Sequence, residues 1–289
     1  MEEIPHHPLI TVTPESVKKV RQMCEIDDVQ KIKDCLDIIE EWISKQDHLV
    51  EASKYITRNL LERVFLIAKG STEGTKRRIE RLLTSRGMMP ELCMNRTVEE
   101  FETQWDVVHY VPLPKLHPVD QSRIGEYRIN YDYTPSERFV IDLTNIHFGL
   151  LGKLNPITIK KSEVLCTEGI GTKIKGIHIL NAPPFIDKLV FILKQALREK
   201  VANRVHVHNS YEDLQKHIPR EILPKDYGGD DQSVAKLSER WKETLRTPEA
   251  RQLIKDAEKL VSDESKRQTS KFNEEYMGMP GSFRKLTVD

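Results

Sequence analysis

The hydrophobic period of this sequence changes once, and the change falls at a run of prolines, VPLPKLHPVD, at residues 111–120. Proline fixes φ and removes a backbone donor, so repeated prolines mark a stiff extended connector rather than helix or strand. Before the run, apolar residues recur at helical spacing. After it, strand-like and helix-like segments alternate.

On the N-terminal side, Val29, Ile32, Leu36, Ile39 and Ile43, with Cys35, Ile38 and Trp42 beside them, predict one amphipathic helix from Asp28 to Lys45. A second helix fits Tyr55 to Lys69 and a third Thr75 to Arg86, with Gly70 and Gly87 as their stops. The expected organisation is an all-helical module over 1–105, an α/β domain over 106–232, and C-terminal helices with a tail over 233–289.

Beyond the prolines, EYRINYDY (126–133) and RFVIDL (138–143) read as strands, rich in aromatic and β-branched residues, with TPSE as a short turn between them. ITIKKSEVLCTEG (157–169) is a helix candidate, IKGIHIL (174–180) a third strand and Phe185 to Asn203 a long helix. RVHVH (204–208) is a fourth strand and YEDLQKHI (211–218) a short helix, with two more helices around Val234–Arg246 and Pro248–Ser262. This alternation gives the fold class: α/β, with a mainly parallel sheet behind a helical module.

Composition removes several function classes. Forty-five basic residues balance 45 acidic ones, so no global field draws the chain to nucleic acid and any anion site must be a local cluster. The longest strongly apolar run, Leu189 to Leu193, falls far short of the ~20 residues a membrane span requires. Cys24, Cys35, Cys93 and Cys166 are too far apart for zinc ribbons or redox dithiols, and no secretory signal is evident, so reduced thiols and a cytoplasmic location are expected.

Motifs for chemistry are weak. GIGTKIKG (169–176) fits neither dinucleotide nor Walker spacing, and its glycines run into a strand instead of opening a helix. His206 and His208 share a strand face near His178, but no Cys or carboxylate completes a ligand set, so ordinary hydrogen-bonded strand histidines are expected, and no metal or cofactor. No serine elbow or HExxH helix is present, and no enzymatic activity is expected.

The helix after Pro183 and Pro184, with Asn181 as a candidate cap, is the informative one. Phe185, Ile186, Leu189, Val190, Ile192, Leu193 and Leu197 cover more than one of its faces, which fits either a buried core helix or a lid over a greasy cavity. Lys173 and Lys175 alternate with Ile174, and Lys200 and Arg204 lie four apart. Gathered by the fold, these pairs make a local cationic pocket for a phosphorylated headgroup.

The stretch KIKGIHILNAPPFIDKLVFILKQALREKVANRVHVH, followed by ILPKDYGG, resembles the CRAL-TRIO lipid-binding domain, in the branch containing α-tocopherol transfer protein, retinaldehyde-binding protein and clavesin. RFVIDLTNI matches the preceding strand of that family, and RVFLIAKGSTEGTKRRIERLL with MPEL looks like its helical module. The resemblance implies a monomeric cytosolic carrier of one hydrophobic small molecule or lipid, held under a mobile lid at Phe185–Ala202, that docks transiently on phosphoinositide membranes. By motif position the resemblance puts the phosphatidylinositol bisphosphate cleft at Lys69, Lys173, Lys175, Lys200 and Arg204. Lys69 and Lys175 stand where close relatives use arginine, and Ile67 replaces a basic residue. The family also places a helical cavity wall between the first two strands, where this chain has only TPSE, so a tight antiparallel hairpin is expected there. A phosphoinositide-binding adaptor without enclosed cargo is the alternative this shortening leaves open.

Overall fold

A computed structural model describes residues 7–94, 97–105, 111–118, 123–124, 134–169 and 171–267. The chain begins with helices α1 (Pro14–Met23), α2 (Val29–Ser44), α3 (Val50–Ser53), α4 (Arg58–Ile67), α5 (Thr72–Met88), α6 (Pro90–Cys93) and α7 (Val98–Trp105). Side chains set several of their starts. Asp28 accepts from the N–H groups of Gln30 and Lys31 to open α2, Thr57 from Leu60 to open α4, and Ser71 from Gly74 to open α5. The apolar stripe of α2 (Ile32, Leu36, Ile39, Ile43) packs with Phe65 of α4 and Leu83 of α5 in the largest core cluster, while Val29 and Ile38 stay outside it. Arg21 docks α1 on α4 through two hydrogen bonds, 2.8 and 2.6 Å, to the buried Glu62.

Two helix ends differ from expectation. α5 runs through Gly87 to Met88, because its last turn is held by packing, so this glycine is not a stop. α4 does end before Gly70: the Gly70 N–H reaches Phe65 O at 3.0 Å and the Lys69 N–H reaches Leu66 O at 2.9 Å. These two bonds form a Schellman turn with Lys69 in the left-handed position usually given to glycine (φ 54°).

The second half carries β1 (Arg123–Ile124), β2 (Ser136–Asp142), α8 (Pro156–Val164), β3 (Lys173–Leu180), α9 (Ile186–Ala196), α10 (Glu199–Ala202), β4 (Val205–Val207), α11 (Tyr211–Gln215), α12 (Val234–Leu245) and α13 (Pro248–Ala257). The sheet order is β1-β2-β3-β4, with every neighbouring pair parallel. The fold is therefore α/β with a parallel sheet. The predicted strand 126–133 lies outside the described residues. The antiparallel hairpin expected between it and RFVIDL therefore has its first strand outside the described residues; the short β1 ahead of it pairs parallel to β2, with Arg123 opposite Glu137. Ser136 and Glu137 of the TPSE turn already belong to β2 and are buried.

The long helix predicted from Phe185 to Asn203 is two helices. Leu197 and Arg198 have extended backbone (ψ 153° and 145°), which turns Leu197 into the cluster formed by Ile174, Ile177 and Val201. Asn181 does not cap α9. It sits at φ 50° and its amide ties the end of β3 to Asp142 and Thr144 after β2, at 2.8 and 2.9 Å. The proline connector is locked by Trp241 of α12, whose indole N–H donates to Pro112 O at 3.1 Å.

Candidate functional site

The β2–β3 register sets the site. Ile174 pairs with Glu137 and Gly176 with Arg138, leaving Lys175 as the extra residue of a bulge. Strict alternation fails there: Ile174 and Ile177, three apart, enter the same apolar cluster. Lys173 is exposed and Lys175 half-buried.

Lys69 and Lys173 are both close enough for their charges to act on one thiol. Cys24, buried just past α1, has its thiol pKa pushed up by burial, while the charges of Lys173 and Lys69 pull it the other way. Arg204 lies beyond the end of α10, so it does not share a helical face with Lys200. Its guanidinium instead donates to the carbonyl of Ile174, between the two strand lysines. Lys200 is exposed on α10. One further cation, Arg78 of α5, was not singled out from the sequence. Its Nη1 would stand 2.7 Å from a Cβ placed on Gly171, close to Ile67 and two residues before Lys173. Burial, then the neighbouring Arg81, lowers the pKa of Arg78, with Glu168 opposing.

The glycines of GIGTKIKG now have a physical reason. A Cβ on Gly169 would meet Ser85 Oγ at 2.4 Å, so this residue lets the turn after α8 press against α5.

α9 is two-sided. Leu189 is buried against Leu143 and Ile179, joined at the edges by Ile186, Val190 and Leu193. Ile192 is half-buried, and Phe185 meets Phe148 edge to face at 5.3 Å. On the outside, Phe191 is 63% exposed, near in sequence to Lys188, whose Nζ lies 5.3 Å from the Phe148 ring centre. Phe148 and Ile157 are themselves 58% and 56% exposed.

The break after α9 is anchored by ion pairs. Arg198 contacts Glu168 and stands 3.4 Å from the buried Glu163, while Arg81 reaches Glu168 at 3.1 Å and Lys160 reaches Glu163 at 2.9 Å. Replacing Arg198 with alanine should lower stability by about 1–3 kcal/mol, the range for charged hydrogen bonds. Urea unfolding measures it; an unchanged midpoint would remove this anchor.

His178, at the centre of β3, is fully buried, and its Nδ1 lies 2.9 Å from His208 Nε2. His206 and His217 complete a group of four rings. Among the described residues, no group of three or more His, Cys, Asp or Glu side chains is placed to hold a metal ion. The direct His178–His208 bond uses a lone pair that a shared ion would need.

Residues 128–229, the segment that carries β2 to β4 and α9, match the family model of the CRAL/TRIO domain. That segment is similar to a CRAL/TRIO domain. Alpha-tocopherol transfer protein-like of Mus musculus is 34% identical over 122 residues, 42% of this chain and 32% of that protein. Clavesin-2 of Rattus norvegicus is 31% identical over 91 residues, 31% of this chain and 28% of that protein. The matched part thus spans about a third of these relatives. The crystal structure of Sfh5 aligns over 79% of this chain and 92% of its own, at a TM-score of 0.43 and 14% identity. No helix among the described residues is long and apolar enough to cross a membrane.

Within the segment that matches the CRAL/TRIO model, then, one helix presents apolar side chains both to the sheet and to solvent, and cationic side chains lie at the start of β3.

Proposed function

We propose that this chain binds a hydrophobic lipid under α9 and exchanges it at phosphoinositide-containing membranes, with α9 as a mobile lid and no covalent chemistry. The observation that carries the reading is the two-sided α9. Behind the buried Leu189, its Ile186, Val190 and Leu193 rest only partly buried on the sheet, and the exposed Phe191, like the exposed Phe148 and Ile157, leaves large apolar groups in water that a lipid surface would cover. Resemblance to a tocopherol transfer protein-like sequence and to clavesin-2 supports the same reading.

The phosphate-binding group we propose comprises Lys69, Lys173, Lys175, Lys200 and Arg204, with Arg78 added from the structure. Lys69 and Lys173 act on a common thiol, and Arg204 is fixed beside them on the Ile174 carbonyl. The hydrophobic ligand would meet Phe185, Ile186, Leu189, Val190, Ile192, Leu193 and Leu197. Each cation near an anionic surface contributes about 1 kcal/mol. Replacing Lys69 and Lys173 with alanine should therefore weaken binding to vesicles containing phosphatidylinositol bisphosphate about 30-fold, with unchanged thermal unfolding. Unaltered binding would sink the assignment.

A second reading, a phosphoinositide adaptor without enclosed cargo, is favoured by one observation. Ile141 of β2 remains 39% exposed although it pairs with the buried Ile179. Native mass spectrometry before and after solvent extraction separates the two: bound lipid supports the carrier, whereas an empty chain that still binds the vesicles supports the adaptor.

A further inference from the structure

Four histidines from three parts of the segment that matches the CRAL/TRIO model meet on the sheet: His178 of β3, His206 of β4, His208 just after it, and His217 after α11. Their six ring-to-ring distances run only from 4.8 to 6.2 Å. The rings of His178 and His206 are nearly parallel, as are those of His178 and His208. His178 has 0% exposure, and its Nε2 has no hydrogen-bond partner. A Cβ on Gly176 would fall 2.4 Å from that nitrogen and 3.2 Å from Arg138 Nη1, so the glycine makes room for an imidazole beside a guanidinium.

We propose that this cluster is a proton-operated latch: with His178, His206 and His208 neutral it holds β4 and the α11 segment on β3, and their protonation releases that edge. β4 is a three-residue edge strand whose His206 pairs in register with His178, so a charge on either ring acts directly across the β3–β4 seam. The surroundings disfavour a proton. Arg138 faces the rings from β2, and the other histidines face one another from β3, β4 and the end of α11. His117, from the proline connector, meets the carbonyl of His217 at 3.2 Å. The carboxylate acting on the cluster is Asp213 of α11, which pulls on His208 but is paired with Lys216 at 2.7 Å.

Burial, then His208, His206, Arg138 and His217, push His178 from the usual 6.5 to about 3. Burial lowers His206 and His208 as well, with His217 as the next cause in each. Because the folded pKa lies below the unfolded one, the open state binds more protons at acid pH. The stability of the seam is complete above pH 6.5 and is lost as pH falls from there toward 3. At pH 5.5 the His178 contribution alone raises the opening constant about tenfold.

Hydrogen exchange of the full chain at pH 7.5 and 5.5, corrected for intrinsic rates, tests this without reference to any lipid. Peptides covering β3, β4 and α11 should open at least about tenfold more at pH 5.5, with α2, α4 and α5 unchanged. His178→Gln should abolish most of the excess. Should that variant not fold, His217→Gln, at an exposed position, should reduce it. Uniform exchange across the chain at pH 5.5, or an excess that survives the substitutions, would overturn the latch.

Discussion

Gly229→Ala is expected to leave the chain insoluble, or to lower its melting temperature by on the order of 10 °C. A Cβ at this position would stand 1.9 Å from the carbonyl oxygen of Leu223 and 2.3 Å from its carbon. Those atoms are backbone, so no rotamer change relieves the contact. The loop would have to shift, and the shift would break two hydrogen bonds, Gly229 N–H to Pro224 O and Asp231 N–H to Leu223 O, both 3.0 Å. It would also move Leu223, which is fully buried among Leu180, Leu214, Ile218 and Leu237. A backbone clash inside a core lies at the extreme of single-substitution effects, beyond about 4 kcal/mol. Differential scanning calorimetry checks it. A melting temperature within 2 °C or so of the parent would show that the loop yields where its geometry says it cannot.

Phe65→Ala should cost about 3–5 kcal/mol, the usual range for emptying a buried aromatic site. Phe65 has 0% exposure and lies in the cluster that joins α2, α4 and α5. Its ring also lies under the turn that presents Lys69: the Phe65 carbonyl accepts the Gly70 N–H, and the ring tip is 3.7 Å from a Cβ position on Gly70. Cavity formation here should therefore loosen the left-handed Lys69 as well as the core. The expected result is a lower urea midpoint together with weaker binding to phosphoinositide vesicles. A midpoint unchanged within 0.5 kcal/mol or so would mean the site collapses without cost.

Parts of the molecule were legible without coordinates because they depend on local periodicity. The α2 stripe, the strand IKGIHIL and the helices near Val234 and Pro248 follow from apolar spacing and from capping by Asp28, Ser233 and Thr247, whose partners lie two or three residues away. What misled was the assumption that spacing continues unbroken. A bulge at Lys175 interrupts the alternation between Ile174 and Ile177, and α10 stops at Ala202, so Lys200 and Arg204, four apart, share no helical turn. Bulges and helix breaks answer to neighbours distant in sequence, here Arg138 across the sheet and Glu163 and Glu168 around Arg198.

The sequence by itself determined the alternation of elements, the parallel α/β class, the apolar content of α9 and the family resemblance, since each is written in residues close together in the chain. Tertiary structure set which residues lie close: His178 against three histidines 28 to 39 residues away, and Lys69 and Lys173 within electrostatic reach of Cys24. Those meetings depend on strand order, register and close approach at Gly169, Gly176 and Gly229, where a neighbouring side chain or backbone already fills the space a Cβ would need. Such contacts arise from packing between segments, and no local pattern encodes them.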